Sequence, residues 1–531
     1  MNKNILIVGG GISSLTAAAY LLKNKNKVSL IEKNDNLGGL IGSFYRKNFL
    51  FDYGIRATEN SGVLFPMLRD LKIDIEFLEN PVSIIIENKK VLLDRKESIE
   101  DYQMMLFNLF PNNKDEIKKI FDYIKKISSY MEVLYGIDNP LFLDMKRDKD
   151  YFMKTIVPWL FKYLMTINKI QKLSLPVNSF LEEITDNDSI IDMITQHFFK
   201  ETPTFFALSY FRLYTDYYYP KGGTKTIIDK LENYITDNGG IIYKNTEITK
   251  LNLETNEAIS QNQKFKYDNL IWGADMKTLY RITDISATSN YNKKEYNIIE
   301  NKIQKSHGND SLFSLYLSTN LSPEYYNDKC SCHSFYTPNK IGLSSMRYNQ
   351  IELLEKLKTK TGGHKEILFK WIDEFVKKTT FEISIPVLRD KSLAPINKSA
   401  LIISTVFDYD LTKFIEEISL YKEFKIYMEK AIIKSLSKDL FIKLEDEIID
   451  SFSSSPLTIK NRLNNSEGAI TGWSFTEKSP AEDRMKKIAK SIETPFKNIY
   501  QIGHWTFSPS GLPTSIITAK LAADRIERIN R

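Results

Sequence analysis

"NILIVGGGISSLTAAAYLL", residues 4–22, decides the fold. An apolar run from Ile5 to Val8 leads into Gly9, Gly10 and Gly11, and a helical pattern rich in Ala and Leu follows. Strand, glycine turn, helix is the order in which G-x-G-x-x-G has a physical meaning. Gly9 permits the tight turn. Gly11 has no Cβ, so a pyrophosphate can approach the backbone at the positive end of the helix. The third position, where helix and strand pack closely, is Ser14 rather than Gly or Ala. Ser is only slightly larger than Ala, and the turn is expected to tolerate it. Working outward, Lys27 to Ile31 reads as a second strand that ends at Glu32. An acid about 20 residues beyond the glycines accepts hydrogen bonds from a ribose hydroxyl and repels a 2′-phosphate, which argues against NADP here.

The rest of the chain bounds what such a unit can belong to. A length of 531 residues allows about three domains. The 42% hydrophobic and 26% charged fractions are those of a globular protein with a large core. Net charge is only +6, and no run of like charges suggests nucleic acid. Cys330 and Cys332 are the two cysteines; with His333 they spell Cys-Ser-Cys-His, a spacing that fits neither a zinc finger nor a C-x-x-C redox pair. No metal is expected, and a reducing compartment is. The first strand begins too early for a signal peptide, and no stretch reaches 18 uninterrupted apolar residues, so no spanning helix is expected. The expectation is a cytoplasmic protein, with peripheral docking on a membrane surface as the alternative.

Further elements of the same kind recur along the chain. Gly38-Gly39 follows Glu32 closely, and Phe51-Asp52-Tyr53-Gly54 closes a hairpin. Residues 64–71 read as a helix, and strands are expected in "VSIIIENKKVLL". Residues 97–215 are helical and aromatic. Residues 217–251 read as a Gly-Gly turn, a helix, a second Gly-Gly turn and a strand. Residues 285–480 mix strands with a long helix near 411–437, and residues 498–526 give a strand, a glycine loop with Gly-Leu-Pro, and a terminal helix. The expected class is α/β. A discontinuous Rossmann-type unit (1–96, 216–284 and 485–531) is joined to a helical lid (97–215) and an antiparallel-sheet-plus-helix substrate domain (285–484).

Several separated motifs carry a resemblance: the glycine turn with Glu32 and Gly38-Gly39, FDYG at 51–54, YPKGG at 219–223, EISIP and SLAP within 382–395, SSPLTIKNRLNNSEGAITGW at 454–473, and GHWTFSPSGLPTSIITAK at 503–520. With them the chain resembles the phytoene desaturase, carotenoid isomerase and retinol saturase group of the amine-oxidase-like FAD superfamily. The resemblance implies one non-covalent FAD. It puts Gly9, Gly11 and Ser14 at the pyrophosphate, Glu32 on the adenosine ribose, and Gly38 and Gly39 close to the cofactor. Ile248, in the strand after the second Gly-Gly turn, would meet the adenine. Gly503 would lie at the ribityl chain, and Leu512, Pro513 and Thr514 would open a helix toward the pyrimidine edge of the flavin. Leu40 stands where the group commonly has Arg, and His504 where an acid or Gln often follows the glycine. Arg56 and His504 are the candidate catalytic residues, both expected near the flavin.

A flavin performs the redox chemistry itself, so no catalytic triad is required and none is visible. No second G-x-G-x-x-G follows a strand, so no separate nicotinamide domain is expected. The substrate implied is a long apolar isoprenoid-like molecule that gains or loses hydrogen across carbon–carbon bonds. The alternatives are a non-redox isomerase using reduced flavin, an amine or porphyrinogen oxidase, and a flavin-free protein on a relic fold. One segment bears on access by such a molecule. Between 151 and 170, Phe152, Ile156, Trp159, Leu160, Tyr163, Leu164, Ile167 and Ile170 recur at helical spacing, widened by Met153, Val157, Phe161 and Met165, with Lys154, Lys162 and Lys169 gathered opposite. Pro158 should kink or interrupt this helix. The face is either core or a membrane-interface surface anchored by Trp159 and Phe161.

Overall fold

Asn4–Val8 is the middle strand of a five-stranded parallel sheet, in the order Ile241–Tyr243, Lys27–Ile31, Asn4–Val8, Asn269–Trp272, Ile499–Gln501. The computed structural model describes residues 3–144, 147–285 and 293–530. Strands buried on both faces need no polar alternation, which is why this segment is continuously apolar. Ile5 and Ile7 face the helices Ile12–Lys23, Lys225–Asp237 and Leu512–Asn530, whose Ile and Ala side chains complete one core. Leu6 and Val8 face the opposite way, onto Leu251, Ala258 and Phe265 of a small second sheet.

Ser14 is accommodated by its neighbour. It is fully buried on the first helix, and a Cβ built on Gly273, just past the strand Asn269–Trp272, would lie 2.1 Å from its Oγ. The close approach of helix and sheet is thus kept by a glycine on the facing segment.

A seven-stranded sheet runs in the order Ile448–Ser454, Ser311–Thr319, Ser399–Phe407, Phe381–Ser384, His333–Thr337, Val82–Ile86, Lys89–Leu93. It is antiparallel except for the parallel pairing of His333–Thr337 with Val82–Ile86. The strands of "VSIIIENKKVLL" therefore pair in this sheet and not with the dinucleotide-type sheet beside which residues 1–96 place them. One face, with Phe313, Leu315, Phe381, Ile383, Leu401 and Ile403, packs on helices that include His364–Phe375 and Tyr421–Asp439. The helix expected near 411–437 is two helices, Tyr409–Glu417 and Tyr421–Asp439, parted at Ser419, whose φ is 62°. The opposite face carries Ser314, Ser404, Glu382 and His333, a polar stripe that alternation along the strands sets apart from the core.

Helices Ser98–Leu109, Lys114–Tyr135, Asp188–Thr195 and Thr204–Leu213 share a core around Tyr102, Phe121, Ile194 and Phe211. Against Lys114–Tyr135 lies Val157–Ile170. Pro158 sits in its first turn and does not interrupt it; the chain before it widens into a π-helical turn, Phe152–Ile156. The face turned inward carries Ile156, Thr166, Ile167 and Ile170, and Trp159 donates to the Val133 carbonyl and packs on Tyr163 at 4.6 Å between ring centroids. Met153, Val157, Leu160, Phe161, Leu164 and Met165 face out, Phe161 being 68% exposed. The core reading fails for that outer stripe, and Trp159 binds the helix to the protein instead of anchoring it elsewhere. Among the described residues no helix is long and apolar enough to cross a membrane.

Candidate functional site

Six of the segments singled out in the sequence converge at the carboxyl end of the parallel sheet. Gly11 precedes the helix Ile12–Lys23 with φ −72° and ψ 170°, and a Cβ built on it would meet no atom within 4 Å. Gly38 donates its N–H to the Gly10 carbonyl at 2.8 Å and bridges Gly11, which sets Gly38-Gly39 directly beside the turn. Glu32 Oε2 accepts from the Gly10 N–H at 2.6 Å and Oε1 from the Asn34 N–H at 2.8 Å. Burial pushes the Glu32 carboxyl up, and these two donors partly offset it. The Glu32 carbonyl accepts from Thr246, which brings Ile248 to the same place. Ile248 lies in the loop after Ile241–Tyr243, not in a strand; the strand ends five residues earlier and the next begins at Lys250. Gly503 packs on Ser13, where a Cβ would come within 3.0 Å of Ser13 Oγ.

Leu512, Pro513 and Thr514 open the helix Leu512–Asn530, and Thr514 Oγ1 accepts from the Gly511 N–H at 3.0 Å. His504 packs beside Trp505, 5.2 Å between ring centroids, and its Nε2 is buried without a hydrogen-bond partner. Burial drives its pKa down to about 4 against the opposing pull of Asp275, so the ring is neutral at neutral pH. The long motif at 454–473 is knitted to this loop: Trp473 Nε1 donates to the Trp505 carbonyl at 2.8 Å, Trp505 Nε1 to Asn465 Oδ1 at 2.9 Å, and Ser510 Oγ to the Thr471 carbonyl at 2.7 Å.

The FDYG and YPKGG motifs meet through a buried carboxylate that sequence reasoning placed only in a hairpin. Asp52 is fully buried and accepts from Ser43 Oγ at 2.6 Å, Tyr219 Oη at 2.6 Å, and the Thr224 N–H and Oγ1, both at 3.0 Å. It ties the hairpin Ile41–Arg46 and Phe49–Gly54 to the start of the helix Lys225–Asp237.

Arg56 does not join the glycine cluster's hydrogen bonds. It is 3% exposed and turns to the polar stripe of the seven-stranded sheet, where Nη1 donates to Glu382 Oε2 at 2.9 Å and Nη2 to Ser404 Oγ. His333 Nε2 lies 3.1 Å from Glu382 Oε1. Burial would raise Glu382, but Arg56 and then His333 overcome it and hold the carboxyl down at about 2. Glu382 keeps 28% of its side-chain surface. Aromatic rings pack beside it: between ring centroids, Tyr217 is 5.8 Å from His333, and Tyr214 5.1 Å and His197 4.8 Å from Phe335. Desolvation lowers His197 to about 3. The strand alternation of "FEIS" could have flagged Glu382, since it is the charged residue on a strand whose other face is core; nothing local names its partners. The Cys-Ser-Cys-His run is divided here: His333 faces Glu382, while Cys330 and Cys332 are buried free thiols raised by burial, Cys330 to about 12.

A second deep carboxylate, Glu59, shares a sheet face with Tyr217, its register partner. It neighbours Asn60, which with Tyr135, Tyr151, Arg212 and Asp216 lines a cavity of about 220 Å³. No side chain among the described residues bonds to it, and burial pushes it up to about 7. Between the ordinary value of 4.5 and about 7 the folded chain therefore holds a proton that the unfolded chain releases, and stability falls as pH rises through that window. Glu59→Gln should remove this term. Melting curves at pH 5 and pH 7.5 should show the variant gaining on the wild type at the higher pH, and parallel changes would contradict the assignment.

The family model described as an NAD(P)-binding Rossmann-like domain matches residues 7–71. The chain is 21% identical to the 1-hydroxycarotenoid 3,4-desaturase of Flavobacterium sp. (strain P99-3), over 99% of this chain and all of that protein. It is 22% identical to prolycopene isomerase 1, chloroplastic, of an Oncidium hybrid cultivar, over 98% of this chain and 83% of the relative. It is 21% identical to the all-trans-retinol 13,14-reductase of Danio rerio, over 94% and 82%. A shorter match, to the inactive all-trans-retinol 13,14-reductase of Danio rerio, is 22% identical and spans 47% of this chain and 42% of that protein. Among solved structures, a putrescine oxidase variant superposes with a TM-score of 0.59 at 12% identity, over 99% of both chains. Reduced UDP-galactopyranose mutase gives 0.56 at 13%, over 100% of this chain and 94% of the other. The solved neighbours share this α/β fold, and the sequence relatives include desaturases, isomerases and a reductase.

Proposed function

We propose that the protein is an FAD-dependent oxidoreductase that moves hydrogen across carbon–carbon bonds of a long, apolar, carotenoid-like molecule. The observation that carries this is the open space in front of Gly11 at the head of a helix, in a chain similar over nearly its whole length to enzymes of polyenes. That space suits a pyrophosphate, which the first helical N–H groups would hold. Gly9, Gly11 and Ser14 would form its turn and Gly38 and Gly39 its flank. Each Glu32 oxygen keeps a lone pair for a ribose hydroxyl. The backbone of Ile248 would meet the adenine, and Gly503 the ribityl chain. Leu512, Pro513 and Thr514 would aim a helix N-terminus at the flavin, where its dipole favours the negative charge of the reduced ring. Bound FAD supplies the hydrogen transfer itself. The helical segment 97–215 would cover the substrate.

Purified protein should be yellow, and acid precipitation should release the colour as FAD. A folded, colourless preparation that ignores added FAD rules the reading out. Turnover of a polyene that requires an added electron acceptor supports net hydrogen transfer. Turnover without one, once the flavin is reduced, marks an isomerase.

The outer stripe of Val157–Ile170 suits an anionic bilayer surface from which such a substrate would be drawn. Its apolar side chains are flanked by exposed Lys154, Lys162, Lys169 and Lys172, the charge complement of such lipids. Phe161→Ser with Leu164→Ser should lower binding to anionic liposomes by roughly tenfold or more. Both side chains face solvent, so thermal stability and flavin content should stay within the usual small range for surface changes. Unaltered flotation of the double variant refutes the docking surface.

A further inference from the structure

We propose that Arg462 binds the pyrophosphate of the cofactor, supplying a full positive charge that the glycine turn itself lacks. The inference rests on the FAD reading and adds a residue from outside the glycine motifs. A dinucleotide pyrophosphate carries two negative charges, and residues 9–16 hold no charged side chain to balance them. Leu40, directly after Gly38-Gly39, holds none either. The N-terminus of Ile12–Lys23 offers only a partial charge, equivalent to roughly half a unit. Glu32, bonded to the Gly10 N–H, brings a carboxylate to the same place. Two nearby lysines are engaged: the charge of Lys33 acts on Glu32, and Lys225 pairs with Asp229 at 2.8 Å.

Arg462 stands apart from these, since among the described residues no carboxylate pairs with it. Its guanidinium lies over the Tyr53 ring, 3.7 Å from the centroid. Tyr53 is the register partner of Gly42, and its Oη stands 2.2 Å from where a Gly42 Cβ would be. Gly42 is three residues beyond Gly39, whose own Cβ position lies 3.4 Å from the Gly11 Cα. Through its backbone, the Arg462 carbonyl accepts from Asn34 Nδ2 at 3.2 Å, and the Asn34 N–H donates to Glu32 Oε1. Arg462 is thereby tied to both segments that flank the turn, the Glu32 loop and the hairpin that begins at Ile41. An exposed Arg that only complements the last turn of the helix Pro456–Leu463 needs neither contact. A Tyr hydroxyl can take one of the five guanidinium donors, and those that remain suit phosphate oxygens.

The test titrates the full-length apoprotein with FAD, following flavin fluorescence, in about 0.05 M and about 0.5 M salt, between which an exposed ion pair becomes largely screened. At low salt Arg462→Gln should weaken FAD by about ten- to a hundredfold, the scale of hydrogen bonds to a charged group. Its affinity should also depend on salt less steeply than that of the wild type. Arg462→Lys keeps the charge and should keep the wild-type salt dependence. Melting curves of the three apoproteins should coincide, because the side chain is exposed. Wild-type affinity in Arg462→Gln overturns the proposal and leaves the FAD reading standing. A loss that is equal at both salts, or that comes with a lower melting temperature, also overturns it, marking a residue that only shapes the Asn34 loop. So does a Lys variant as insensitive to salt as the Gln variant. A wild type that binds no FAD at either salt overturns both readings.

Discussion

Gly11→Val should give a folded, stable and colourless protein. Its backbone, at φ −72° and ψ 170°, suits a β-branched residue, and its Cβ direction is open for 4 Å, so nothing in the protein resists the new side chain. Loss of glycine's freedom in the unfolded chain even favours the variant slightly. The two methyl groups would instead fill the space proposed for the pyrophosphate, and flavin affinity should fall beyond measurement. Gly38→Val makes the contrast. Its φ is 113° and a Cβ would stand 2.0 Å from the Ile41 carbonyl oxygen, so that variant should fail to fold. Thermal melts of the apoproteins and visible absorbance after gel filtration separate the two. A yellow Gly11→Val protein would place the cofactor elsewhere.

The same residue shows what a sequence makes legible. The order of strand, glycines and helix is local, so its turn, its first helix and the acid at Glu32 could all be read directly. Whether Ser14 fits is not local: it depends on Gly273, which reaches the first helix only through parallel pairing of Asn4–Val8 with Asn269–Trp272. The sequence reads as one strand from the second Gly-Gly turn through Ile248, whereas the chain leaves the sheet after Tyr243 and the Thr246 N–H donates to the Glu32 carbonyl. Helix 157–170 defeated pattern reading for a different reason. Its apolar face is wide enough to hold both a covered and an outer stripe, so periodicity could not choose between them; the protein covers the one with Thr166 and leaves Leu160 and Leu164 out. Arg56 was chosen for its place after FDYG, and its partner Glu382 comes from a strand in the second sheet that only the fold brings near.

Asp52→Ala should cost about 3–5 kcal/mol of stability, the range for breaking a buried charged network by removing one partner. The carboxylate is the shared acceptor for Ser43, Tyr219 and both donors of Thr224. Alanine leaves them facing a void that is sealed from water, and each unsatisfied donor carries a desolvation cost. Tyr219 is also held by Arg389, whose guanidinium lies 4.5 Å from its ring, so it cannot swing away to find another acceptor. Asp52→Asn discriminates between shape and charge. Its oxygen can still serve Thr224 and Ser43, and the Tyr219 hydroxyl can turn to accept from the new amide. Denaturant titration should therefore rank the wild type first, Asn second and Ala last. Flavin affinity should follow the same order, because the hairpin that Asp52 fixes begins at Ile41, two residues after Gly39 at the cofactor turn. Equal stability of the Ala and Asn variants would mean that the charge alone matters. Wild-type stability in both would mean that the two motifs are joined by something other than this carboxylate.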